Sequence, residues 1–88
     1  MTISDDAAFE ISKVEQVEGN LYKLIGLTFK TLKLNDTVFY NDSAQFEITK
    51  IVVFGRELNE IDRGFYIELL LQGDTGDRLN NIKYLYLK

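Results

Sequence analysis

Cysteine, histidine and proline are all absent from these 88 residues, and each absence removes a class of chemistry. Without cysteine there is no disulfide framework and no thiolate nucleophile. Without cysteine and histidine together, no zinc, haem or iron–sulfur site that relies on those ligands can form. Ser4, Ser12 and Ser43 have no imidazole to act as base, and no serine–lysine spacing replaces it, so nucleophilic catalysis is not expected. With no proline, no low-complexity tract and no internal repeat, nothing reads as a linker or a second domain. Near the amino terminus stand Asp5 and Asp6, where a secretion signal needs a basic start and an apolar run. No stretch approaches the roughly 18–20 apolar residues of a membrane span. The expected location is cytoplasmic.

What is present is an ordinary globular composition, 45% hydrophobic and 12% aromatic. That suffices for a modest core in a chain short enough to bury only about 60–65% of its unfolded surface. The formal charge is −4. Asp5, Asp6, Glu10, Glu15 and Glu18 against Lys13 place all of it in the first twenty residues, so the remainder is neutral. Lys23, Lys30 and Lys33 are the one concentration of positive charge. They read as solvated strand and turn lysines, because a nucleic-acid footprint needs more basic residues on one face.

From Phe9 onward the pattern has period two, in short segments separated by turn residues. Phe9 and Ile11 open a strand running to about Val17, and Glu18-Gly19-Asn20 turns the chain. Leu21, Ile25, Leu27 and Phe29 share the apolar face of a second strand, with Tyr22, Leu24, Gly26, Thr28 and Lys30 opposite. Leu32 and Leu34 lead into the turn dipeptide Asn35-Asp36, and Thr37 to Tyr40 resumes extended structure before a turn at Asn41-Asp42-Ser43. Phe46 and Ile48 have one parity, Ile51 and Val53 the other, so an extra residue near Thr49-Lys50 is required if all four face the core. A similar slip separates Phe9 and Ile11 from Val14. Such bulges coil strands into a small barrel. Residues 55–64 contain Leu58 and Ile61 at a spacing of three, which predicts one helical turn or a packed loop. Phe65, Ile67, Leu69 and Leu71 then alternate with Tyr66, Glu68, Leu70 and Gln72. Residues 73–77 form a loop, and residues 82–87 a last strand with Leu85 and Leu87 opposing Tyr84 and Tyr86.

Taken in order, these segments resemble the second domain of the translational GTPases, the β-barrel that follows the GTP-binding domain in elongation factor Tu and its relatives. Residues 48–73, ITKIVVFGRELNEIDRGFYIELLLQG, are similar to the family's strand ending in an aromatic residue, charged loop, glycine, and strand closing on leucines and a glycine. Phe54, Gly64, Leu69, Leu70, Leu71 and Gly73 occupy those positions, with Gln72 where the family often has arginine. Residues 32–40, LKLNDTVFY, resemble its lysine, apolar, Gly-Asp turn through Lys33, Leu34, Asp36 and Val38, with Asn35 in place of the glycine. Phe29-Lys30 and Asn80-Asn81 stand where the family commonly has glycines. The resemblance covers residues 9–87 and implies a module that contacts RNA and protein. No G-x-x-x-x-G-K-[ST] phosphate loop is present, so it does not extend to nucleotide hydrolysis, and no family contact residue maps onto this chain.

Other constellations are bland. Glu57, Glu60 and Asp62 could chelate a hard cation, but read as a solvated loop with Arg56 and Arg63 as local partners. Tyr22 and Tyr66 lie opposite the apolar faces of their strands, and Tyr84 and Tyr86 stand beside Lys83 and Lys88. These offer a surface for stacking or gripping a partner, although tyrosine also simply suits half-buried strand positions. The expectation is therefore an all-β protein, a small six- to seven-stranded antiparallel β-barrel of residues 9–88 behind a flexible tail of residues 1–8. It is expected to have no enzymatic activity, no catalytic, cofactor or metal residues, and no membrane or nucleotide partner. The function expected is that of a stand-alone binding or adaptor module for a protein partner. The alternatives are an RNA- or ribosome-associated module and a structural self-association domain built on an open barrel edge.

Overall fold

The structure is a computed structural model that describes residues 6–41, 44–73, 79 and 81–88. Residues 1–5 of the expected tail, residues 42–43 of the expected turn and residues 74–77 of the expected loop lie outside the described residues, as do Ser4 and Ser43. The described strands are β1 (Ala7–Glu18), β2 (Leu21–Thr28), β3 (Leu32–Lys33), β4 (Thr37–Asn41), β5 (Ala44–Val53), β6 (Arg56–Leu58), β7 (Glu60–Ile61), β8 (Tyr66–Gln72) and β9 (Tyr84–Leu87). The main sheet runs β4-β9-β1-β2-β8-β5-β6, and β4 also pairs with β5. Six antiparallel strands thus close into a cylinder, β6 hangs outside it on β5, and β3 and β7 form a separate two-stranded ribbon. The barrel expected from the period-two pattern is what forms.

Both parity slips are real bulges. On β5, Ile48 pairs with Leu71 and Lys50 with Leu70, so Thr49 is the extra residue. Its hydroxyl donates to the Leu70 carbonyl at 3.1 Å. The offset turns Phe46, Ile48 and Ile51 all inward, each at most 1% exposed. On β1, Ile11 pairs with Gly26 and Lys13 with Ile25, leaving Ser12 over. The left-handed backbone expected at Asn35 is present, at φ 73°, and the Asp36 carboxylate accepts a hydrogen bond from the Lys33 N–H at 2.9 Å.

Three expectations need correction. The buried face of β2 is Tyr22, Leu24, Gly26 and Thr28, while Leu21, Ile25 and Leu27 face outward and are half-buried. The cause is the narrow interior. A Cβ on residue 26 would run into the Glu10 carbonyl and come within 2.9 Å of the Phe9 ring, so only glycine lets that buried ring fill the barrel. Tyr22 packs edge-on against Phe46, centroids 6.4 Å apart. Second, Phe65 does not continue the buried row of Ile67, Leu69 and Leu71; it is 47% exposed and precedes β8. Third, residues 55–64 form neither a helical turn nor a loop. They hold β6 and β7, in which Leu58 faces Ile51 and Ile61 faces Leu32. A bend at Asn59, whose carbonyl accepts the Leu34 N–H at 3.0 Å, sets the spacing of three. Outside the expected strands, Leu79 is fully buried, and Ala7 and Ala8, expected in the flexible tail, open β1 and are buried as well.

Candidate functional site

Register places an outward row across four strands: Tyr84 on β9, Glu10 on β1, Leu27 on β2 and Tyr66 on β8. Beyond this row the cylinder ends. Phe29 follows β2 and lies 6.3 Å from the Tyr84 ring, centroid to centroid. Phe65 and Tyr66 stand 47% and 61% exposed. Phe54 comes two residues after Val52, which pairs with Glu68, and Tyr66 two residues before Glu68, so Phe54 lies at the same end. Five aromatic residues therefore lie toward one end of the barrel, Phe29, Phe54, Phe65, Tyr66 and Tyr84, of which Phe29 and Tyr84 pack together.

Thr28 builds the centre of this end. It is 1% exposed, and its hydroxyl donates to the Asp62 carbonyl at 2.8 Å while accepting from the Phe65 N–H at 3.0 Å. Its backbone N–H donates to the Phe65 carbonyl at 2.9 Å and its carbonyl accepts from Gly64 at 2.8 Å. Four hydrogen bonds thus clamp the turn between β7 and β8, which Gly64 makes at φ 91°. The clamp stops β8 at Tyr66 and turns Phe65 outward. Beside it Leu27, Thr28, Phe29, Arg63 and Gly64 line an open depression of about 390 Å³.

Phe54 is the outlier. It is 99% exposed, and with Gly55 it forms the two-residue loop between the paired residues Val53 and Arg56. Both loop residues have positive φ, 51° and 79°, matching the type I′ pattern in which asparagine, aspartate or glycine is preferred first. A left-handed backbone costs a side-chain-bearing residue about 1–2 kcal/mol. Asn35 meets that requirement with a suitable residue; Phe54 violates it with a bulky ring in water.

The residues singled out from the sequence are mostly separate. Lys23 is paired with Glu15 at 3.4 Å, and five strand residues part it from the end of β2, about 16 Å of chain. It forms no patch with Lys30. Among the described residues no group of carboxylates could hold a metal ion. Glu57 is paired with Lys50 at 3.6 Å rather than with an arginine, and Asp62 accepts from the Thr31 hydroxyl at 3.3 Å. Tyr22 is buried, not available. Tyr84 and Tyr86 do share the outer face of β9. Lys83 sits 5.7 Å from the Tyr84 ring centre while pairing with Glu10 at 3.5 Å; Tyr86 lies against Phe39, which Lys88 approaches.

Phe54, Phe65 and Arg63 escape a reading by alternation. The available signal for Phe54 was the dipeptide Phe-Gly between two extended segments, where Asn-Gly would be ordinary. Neither a scan of protein-family models nor a search of curated proteins returns a match to this chain.

Proposed function

We propose that this barrel is a binding or adaptor module for a protein partner and that it docks through its aromatic end, with Phe54 as the principal anchor. Phe54 is the observation that carries the reading. An exposed ring held at positive φ weakens folding and makes no compensating contact within the described residues, and such outliers gather at sites of recognition. Aromatic anchors surrounded by smaller contacts are also how protein interfaces concentrate their affinity. The resemblance of residues 32–40 and 48–73 to the second domain of translational GTPases supports a recognition role, and a cytoplasmic setting belongs to the same proposal. Among the described residues no helix is long and apolar enough to cross a membrane.

The exposed Tyr66 and Phe65 beside Arg63 favour an RNA-binding reading second, since bases stack on such rings. A phosphate backbone needs more basic residues on one face than this end carries, Lys83 there being paired with Glu10, which ranks it below a protein. Self-association through a sheet edge has little to build on, because β4 pairs with β5 and the ring is closed. The outer strand β6 is three residues long, with Arg56 and Glu57 on it, the kind of edge that discourages pairing.

Phe54→Asn tests the proposal. The variant is expected to unfold at higher denaturant, by about 1 kcal/mol, because asparagine tolerates the turn. A partner retained from native lysate by the wild-type barrel should be lost. Retention of the same partner by the stabilised variant would remove Phe54 as anchor. RNA that shifts the Phe65 and Tyr66 amides at low salt, with no protein retained, would reverse the ranking.

A further inference from the structure

The depression beside Phe29 has walls of definite chemistry. Leu27 and Phe29 make it apolar, and Arg63 stands at its rim. Four backbone donors around it are committed within the fold: Thr28 to Phe65, Phe29 to Ala8, Gly64 to Thr28, and Phe65 to the Thr28 hydroxyl. Among the described residues the ion pairs use Lys23, Lys50 and Lys83, and none uses Arg63. The adjacent Asp62 carboxylate takes the Thr31 hydroxyl instead. An entering ligand therefore finds one uncommitted polar group among the lining side chains, a guanidinium, whose planar fork suits a carboxylate. One cation with an aspartate next to it matches a single negative charge better than a phosphate dianion. The volume, about 390 Å³, lies at the small end of the ~300–1,000 Å³ typical of ligand clefts. Because the depression is open, it can seat one face of a large apolar side chain against Leu27 and Phe29.

We infer that the depression receives a peptide segment of the protein partner in which a large apolar side chain is followed closely by a carboxylate. The side chain lies against Leu27 and Phe29, and the carboxylate pairs with Arg63. This rests on the adaptor reading above and adds the partner's chemistry to it.

The probes are two short synthetic peptides identical except that Phe-Asp-Glu in one is Phe-Asn-Gln in the other. Each is titrated into ¹⁵N-labelled protein. The acidic peptide should shift the amides of Phe29, Gly64 and Phe65, and the neutral one should bind about tenfold or more weakly, the scale of a charge-assisted pair. Arg63→Gln should erase the difference between the two while leaving the rest of the spectrum unchanged. Equal binding of both peptides, no shifts at those amides, or a phosphoserine peptide binding more tightly than the acidic one would each overturn the inference. So would a concentration-dependent dimer whose interface covers the same amides, since a second copy would then be the occupant. A natural partner that is lost from Phe54→Asn yet binds Arg63→Gln as tightly as wild type leaves the adaptor reading standing and sinks this one. If Phe54→Asn retains the partner too, docking through Phe54 falls along with this inference.

Discussion

Leu24 and Leu27 are three residues apart on one strand and have the same side chain, yet they serve opposite sides of the wall. Leu24 is fully buried, faces Leu69 across the β2–β8 ladder and belongs to the core. Leu27 faces outward in a row with Glu10 and Tyr66 and lines the depression. The inner face of β2 is selected by space: Gly26 makes room for Phe9, and Thr28 uses its hydroxyl as a clamp. The outer face carries Leu21, Ile25, Leu27 and Phe29, more apolar mass than the cylinder needs on its wet side. These residues are half-buried, with Lys23 among them on the same face, and under the docking proposal they supply its apolar contact surface.

Truncation at each face separates the two roles. Leu24→Ala should cost about 2–5 kcal/mol in urea unfolding, the transfer and cavity terms of a fully buried leucine, and a loss below 1 kcal/mol would break the assignment of the inner face. Thr28→Val should follow at about 1–3 kcal/mol, because the Phe65 N–H and Asp62 carbonyl lose their partner. Hydrogen exchange at the Phe65 amide should accelerate well beyond that of Leu69, and unchanged protection there would mean the clamp is idle. Smallest is Leu27→Ala, expected to cost at most about 0.5–1 kcal/mol at a half-buried site. Binding of the acidic peptide should nevertheless weaken, and a large stability loss with intact binding would invert the comparison.

Most of the barrel is legible in the sequence because period two survives wherever one side is packed, and because a change of parity within one strand has few causes. Phe46 and Ile48 set against Ile51 suffice to locate the Thr49 bulge. The faces of β2 are not legible by counting. Four large apolar residues on the outer parity outvote Tyr22, Leu24, Gly26 and Thr28, and what overrules them is the Phe9 ring, seventeen positions earlier in the chain. The site is less visible still. Where β8 begins, and therefore that Phe65 and Arg63 border a depression, depends on a hydroxyl 37 residues away from Phe65. Phe54 fits the aromatic position at the end of a strand that the family resemblance supplied, but its full exposure follows from a turn geometry that alternation does not encode.

The place of β9 has a consequence for how the molecule comes together. It lies between β4 and β1, neither of which adjoins it in chain order, and it completes the ring as the last described strand. Until it inserts, both of its neighbours present raw hydrogen-bonding edges to any passing chain. A nascent or truncated polypeptide ending before Tyr84 is thus an open trough with two sticky rims. Its characteristic failure is clumping, ahead of any loss of strand structure.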